Sequence, residues 1–389
     1  VLDGANVHIS MVGFDNGADG QRVLDGTPAA QINANLTASA ADITQARPLA
    51  ENSGIAFMGD TKGGAFDIPA AVALEMLAQP NPHGKPNSDV LTPWVNGMDL
   101  TRRTRGMWIV DFGDTMDETE AAKYEAPFKY VAQHVRPERE ANQREIYRVR
   151  GWQHVRCRPE MRAALLGLPR FLATPRVAKH RLFIWMQAPT LPDSQLIVFA
   201  RADDYFAGVL QSRFHEAWAL QLGTRLETRP RYTPTSCFET FPFPWPLGQE
   251  PADSPEVKAI SGAAAQLNEM RDRWLNPPEW VRHQTQRFGA SAGGVWKAHL
   301  CQGAGTNTEA EYQNLVPIDA TAEKRLGTRT LTALYNEMPQ WLRDAHGCLD
   351  RAVAQAYVTA TDNSEWANAT AGEAALDLLL AANLSMKAT

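Results

Sequence analysis

At 389 residues, with 44% hydrophobic and 21% charged residues, the chain has room for two or three domains of ~100–200 residues and is too apolar for a disordered polymer. No apolar run approaches the ~20 residues that cross a bilayer, so no membrane partner is expected. Four scattered cysteines without a C-x-x-C pair argue against a zinc ribbon or a disulfide framework and for a reducing, cytoplasmic setting.

In chain order, Val7–Phe14 (VHISMVGF) alternates and predicts a strand. The polar, alanine-rich stretch from Asp15 to about Glu51 predicts an irregular connection. Asp67 is placed to cap a helix running to about Gln79, and Pro80–Pro93 predicts a long loop. Met107–Phe112 predicts a strand, and Thr119–Arg150 a charged helical run divided at Pro137. Arg181–Gln187 (RLFIWMQ) and Gln195–Ala200 (QLIVFA) read as the two strands of a hairpin. Asp203 or Asp204 then caps an amphipathic helix ending near Gly223. Phe238–Pro246 (FETFPFPWP) alternates proline with aromatics and predicts an extended, packed apron. Gly248–Pro255 reads as a linker. Helices are expected over about 256–275, 328–337, 340–358 and 371–386, with Gly289–Gly305 a loop, so the tail reads as a small helical bundle.

The net charge of −6 argues against an anionic partner until it is divided along the chain. Residues 1–143 carry 11 basic and 19 acidic groups, residues 144–231 carry 15 and 7, and residues 232–389 carry 12 and 18. The middle, nearly all arginine, is either an unevenly charged surface or an anion-binding face.

Three short motifs point to catalysis, and each fails on its context. His215-Glu216 is half of a zinc-binding H-E-x-x-H, but Ala219 stands where the second histidine belongs. Asn276-Pro277-Pro278-Glu279 looks like the N-P-P-aromatic loop that holds a target amine. Glu279 replaces the aromatic, however, and the segment follows a charged helix, so it reads as a helix stop. Glu256-Val257-Lys258 is a nuclease-like E-x-K triplet without an upstream aspartate on a neighbouring strand, and reads as a helix start. No phosphate-binding P-loop and no glycine-rich cofactor loop after a strand is present, so no catalytic, cofactor-binding or metal-binding residue is assigned.

The strongest positive signal is Arg225–Tyr232 (RLETRPRY), where Arg225, Glu227, Arg229 and Arg231 alternate. On one extended strand these side chains would share a face. Arginine donates to guanine O6 and N7 and glutamate accepts from the cytosine amine, so such a face could read a C·G pair. An ordinary surface ladder of ion pairs has the same pattern.

Longer segments resemble the MmeI-like family of combined restriction and modification enzymes. Ala5–Phe14 (ANVHISMVGF) is similar to the last strand of that family's methyltransferase domain. Asn96–Phe112 (NGMDLTRRTRGMWIVDF) resembles the entry into its target recognition domain. Arg181–Trp185, Ala200–Trp218 and Gly223–Pro246 resemble the body and end of that domain, and Leu267–Pro277 and Thr328–Tyr357 the helical tail. The resemblance implies an α+β chain: the end of a methyltransferase domain over 1–48, a mixed α/β DNA target recognition domain over 49–248, and a small helical C-terminal domain over 255–389.

It further implies double-stranded DNA as partner and adenine-N6 methylation with S-adenosylmethionine by a parent whose catalytic parts precede Val1, leaving this chain catalytically silent. Glu227 and Arg229 match the pair with which the family reads one base pair, with Arg225 and Arg231 beside them; Pro230 departs from some members. Arg156, Arg158, Arg176 and Arg181 would contact phosphates or buttress the fold. The rival reading is a protein-interaction module with an arginine-rich face for an acidic partner, and a third is a nuclease built around Glu256 and Lys258.

Overall fold

The structure is a computed structural model that describes residues 11–14, 16–18, 20–34, 36–38, 42–226, 229–301, 308–369 and 372–386. Most of the strand expected at Val7–Phe14 lies outside the described residues, and 11–14 are not strand.

A small hairpin, β1 (Arg22–Leu24) with β2 (Thr27–Ala29), precedes the body. β3 (Ala56–Met58) and β4 (Asp67–Pro69) lead into α1 (Ala70–Ala78). Asp67 does not cap that helix. Its backbone is committed to the ladder opposite Ile109 and its carboxylate to Lys62, two residues before the cap position at Pro69. β5 (Leu91–Val95), α2 (Gly97–Thr101) and β6 (Met107–Val110) follow. The charged run becomes α3 (Glu118–Ala121), α4 (Glu125–His134), α5 (Arg136–Glu140) and α6 (Glu145–Val149), with Pro137 in the first turn of α5, where its missing N–H costs nothing. Next come α7 (Pro159–Leu165), β7 (Arg170–Pro175), β8 (Ile184–Gln187), β9 (Leu191–Pro192) and β10 (Leu196–Phe199). Asp203 accepts from the Phe206 N–H at 2.8 Å and starts α8 (Asp204–Gln211); a break at Ser212 separates it from α9 (Arg213–Leu222), so the expected single helix is two. A second hairpin joins β11 (Thr224–Leu226) to β12 (Arg229–Arg231).

Beyond the apron lie α10 (Pro255–Leu275), β13 (Val281–Gly289), β14 (Leu300–Cys301), β15 (Glu309–Pro317), α11 (Ala320–Leu326), α12 (Leu331–Glu337), α13 (Gln340–Thr361), α14 (Glu365–Asn368) and α15 (Glu373–Ser385). The tail is therefore not purely helical. β13 and β15 pair antiparallel over nine positions, with β14 on the other edge of β15.

The body is organised by an antiparallel sheet of order β3-β10-β7-β8. β8 and β10 do not form the expected hairpin, because β7 lies between them and pairs with both. A second sheet, β4-β6-β5-β9, stands beside it, with β5 and β9 parallel. Strand β10 shows how the first sheet divides the interior: side chains alternate across a strand, so Ile197 and Phe199 enter one hydrophobic core while Leu196 and Val198 enter the other.

The tail supplies both cores. Leu267, Leu349, Val353, Tyr357 and Leu379 pack with α8 and α9 on one side, and Phe288, Trp296 and Ala310 pack with Trp108 on the other. Close packing of α8 on α10 requires Gly208, where a Cβ would lie 2.7 Å from the Ile260 Cγ2.

Candidate nucleic-acid interface

The segment expected to be one extended strand folds back on itself. The register sets Thr224 opposite Arg231, Arg225 opposite Pro230 and Leu226 opposite Arg229. Thr224–Leu226 and Arg229–Arg231 are therefore two paired strands, which corrects the expectation of one continuous strand. Arg229 and Arg231 remain two apart on β12 and are exposed. Glu227 lies outside the described residues.

The base of the hairpin is fixed from below. The Tyr232 N–H donates to the Arg176 carbonyl at 2.7 Å, and Val177 bridges Arg231. Arg181 is 6% exposed, and its guanidinium donates to the Thr174 hydroxyl at 3.0 Å, to the Pro230 carbonyl at 3.2 Å and to the Pro175 carbonyl, under the ring of Tyr232. Burial pushes its pKa down. Of the two roles the sequence left open for Arg181, the geometry allows only the buttress, since every outlet of the guanidinium is interior. Tyr232 in turn donates from its hydroxyl to His215 Nε2 at 3.0 Å, while His215 Nδ1 donates to the Leu210 carbonyl at 2.9 Å. Burial pushes this histidine down to about 3, so it stays neutral in the core, with both ring nitrogens engaged by Tyr232 and the Leu210 carbonyl.

At the lip of the hairpin is a groove of about 490 Å³ walled by Met98, Thr101, Arg176, Gln195, Arg229 and Arg231 among others. No carboxylate lines it among the described residues. Arg176 donates to the Ser194 carbonyl at 3.1 Å; its pKa is lowered by burial and then by the nearby positive charges of Arg231 and Arg158. Arg158, in a left-handed backbone conformation at the start of α7, donates to the Gly59 carbonyl at 3.2 Å. Its pKa is lowered by burial and then by Arg156, which is itself exposed. Arg158 and Arg176 thus feel the like charges of Arg156 and Arg231, arginines that the sequence scatters over some 75 positions, and the face they share is positive.

Sequence reasoning missed the other wall. Asn96 caps α2, accepting from the N–H groups of Met98 at 2.9 Å and Asp99 at 3.3 Å, while Asp99 accepts from the Asn96 N–H at 2.9 Å. This reciprocal cap presents Met98 and Thr101 to the groove, and the N-x-x-D spacing was the signal available for it. Also missed was the support beneath Arg156 and Arg158. There His154 Nδ1 lies 2.8 Å from Asp60 Oδ1, and Arg162 bridges Asp60 at 2.7 Å and Asp111 at 2.5 Å. Burial alone would raise the Asp111 carboxyl, but Arg162 and then His154 hold it at about 2.

The short motifs fall as their contexts suggested. Asn276 ends α10, and its Oδ1 accepts from Arg103 at 2.9 Å. Glu256 accepts from the Thr359 hydroxyl at 3.0 Å and Lys258 pairs with Asp253 at 3.3 Å. Among the described residues no cluster of three His, Cys, Asp or Glu side chains could hold a metal ion, and no helix is long and apolar enough to cross a membrane.

Residues 85–245, which contain the hairpin and the groove, match the family model described as the MmeI target recognition domain. This part of the chain is similar to an MmeI target recognition domain. DNA methyltransferase A of Bacillus subtilis (strain 168) is 37% identical over 77 residues, which are 19% of this chain and 9% of that protein. The structure of the type IIL restriction-modification enzyme MmeI in complex with DNA superposes with a TM-score of 0.58 at 16% identity, over 92% of this chain and 39% of that one. At that identity the likeness is one of fold, and it extends the α+β match beyond the recognition domain to nearly the whole chain. The chain spans less than half the length of either relative.

Proposed function

We propose that this chain reads a short sequence of double-stranded DNA on behalf of a DNA adenine-N6 methyltransferase of a restriction-modification system. The observation that carries the reading is the β11–β12 ribbon at the lip of a groove with Arg176, Arg229 and Arg231 on its walls and no carboxylate among its described lining. The major groove of DNA admits a two-stranded ribbon, and arginine is the side chain that pairs with guanine there. In this reading Arg229 with Glu227 forms the pair for one C·G base pair, with Arg231 two residues further along β12. Arg156, Arg158 and Arg176 take phosphates. The relatives support this: one is named a DNA methyltransferase and another was solved with DNA.

The residues present do not fit S-adenosylmethionine. The strand-to-helix turn from β5 to α2 carries one glycine, and its helix amides are taken by Asn96 rather than offered to a ligand. No step of methyl transfer is therefore assigned to this chain; the cofactor and the chemistry belong, in this proposal, to further parts of a longer protein. Four cysteines without disulfides fit a cytoplasmic protein.

The test is a gel-shift selection from randomised duplexes. A preferred sequence is expected, and the exchange Glu227→Lys with Arg229→Asp should alter one base pair of it, because donor and acceptor trade places. Binding without any sequence preference would turn the assignment toward the protein-interaction module.

A further inference from the structure

The basic track does not stop at the hairpin. Helix α2 walls the Arg229 groove with Met98 and Thr101, and the turn after it, 103–106, opens into a second groove of about 440 Å³ that reaches the tail sheet. Arg103, Asn276, Gln286, Tyr312 and Asn314 line this second groove, and no carboxylate does among the described residues. Two arginines at the turn differ in what answers their charge. Arg105 is held by Asp99 through two hydrogen bonds of 3.0 and 2.9 Å. Arg103 donates to neutral oxygens, the Leu275 carbonyl at 3.0 Å and Asn276 Oδ1 at 2.9 Å. Neutral acceptors fix a guanidinium without cancelling its charge, and burial of Arg103 pushes its pKa down. Beside it, the buried side-chain oxygen of Asn314 has no partner; a half-turn of the amide presents its NH2 at that point instead.

We propose that the groove formed by Arg103 with the amides of Gln286 and Asn314 binds a phosphate group, and that this phosphate belongs to the DNA backbone flanking the bases read by the hairpin. The inference rests on the DNA-reading assignment. It gives the tail a part in binding: the tail supplies one wall of a clamp whose other wall is the recognition domain. A free phosphate, inorganic or on a nucleotide, has the same chemistry, and the experiment separates the two.

The salt dependence of duplex binding is measured for the whole chain and for Arg103→Gln, Arg103→Lys, Gln286→Glu and Arg176→Gln. Each duplex is used long and trimmed to the selected site. Losing one phosphate contact lowers the slope of log affinity against log salt by ~0.9. Arg103→Gln and Gln286→Glu are expected to lower it by that amount on the long duplex and not on the trimmed one, while Arg103→Lys keeps it. Because Arg103 also ties down the end of α10, a folding defect in Arg103→Gln would appear as a lower melting temperature; Gln286→Glu and Arg103→Lys then decide. Wild-type slopes in both Arg103→Gln and Gln286→Glu, with a lowered slope in Arg176→Gln, overturn the second site and leave the DNA-reading assignment standing. No duplex binding by the wild-type chain removes both. If inorganic phosphate raises the melting temperature of the wild type and not of Arg103→Gln, while the slopes are unchanged, the site is one for free phosphate and the flanking-backbone claim is wrong.

Discussion

The basic stretch from 144 to 231 divides into an inside and an outside. Arg162 and Arg181 point inward and spend their donors on Asp60, Asp111 and backbone carbonyls. Arg176, Arg229 and Arg231 line the groove, and Arg176 and Arg158 feel like charges as well as burial. Residue type and sequence neighbourhood are the same in the two sets; what differs is that Arg162 and Arg181 are turned to acceptors inside the fold, whereas Arg229 and Arg231 are exposed. Counting arginines locates a basic segment, and only the fold tells which of them face outward.

The sharpest way to break this distinction is Arg162→Leu. It leaves Asp60 and Asp111 buried without their cation, and removing one partner of a buried ion pair costs about 3–5 kcal/mol. Urea unfolding should show that loss; an unchanged midpoint would mean the inner set is as dispensable as the outer. Arg181→Gln should follow at about 2–3 kcal/mol, since buried oxygens of Thr174, Pro175 and Pro230 lose their donors. It should also blur base preference at the selected site, because Pro230 lies on the reading ribbon, whereas a purely structural loss would lower affinity for all sequences alike.

A smaller effect is expected with pH. Burial lowers the pKa of His154, but Asp60 raises it further, so the net shift is upward from 6.5. That contribution is full below about pH 6.5 and fades as pH rises through the folded value. Asp111 moves the other way, from 3.8 to about 2, so its contribution is present above 3.8 and lost as pH falls toward 2. The network therefore stabilises most between roughly pH 4 and 6.5. Melting temperature against pH should lose this feature in His154→Gln. The smallest stability effect belongs to the outer set: Arg176→Gln should stay within about 0.5 kcal/mol of wild type in urea while lowering the salt slope of DNA binding by ~0.9. Unfolding by that substitution would erase the distinction between the two sets.

Local patterns made much of this legible. The apolar spacing of α9, α10 and α13, the strands β6, β8 and β10, and the stop at Asn276 all rest on interactions within a few residues, which is what periodicity reports. The arginine face was legible as charge and as a family resemblance. Three features were not. The pairing of β11 with β12 was hidden because RLETRPRY alternates as one strand would. β13 (VRHQTQRFG) carries polar residues on most positions of both faces, so its pairing with β15 leaves little hydrophobic signal. The network of Asp60, Asp111, His154 and Arg162 joins residues as far as 102 apart in sequence, where no local rule applies.

Strand β10 has all four of its residues buried, two to each side. During synthesis this sheet emerges well before the last of the residues that cover it. One core is completed only when Phe288, Trp296 and Ala310 arrive, and the other only when Leu349, Tyr357 and Leu379 do. The β11–β12 ribbon is thus delivered early on a platform that closes last, and a ribosome that stalls after residue 250 releases a chain with two unfinished cores rather than a shorter working one.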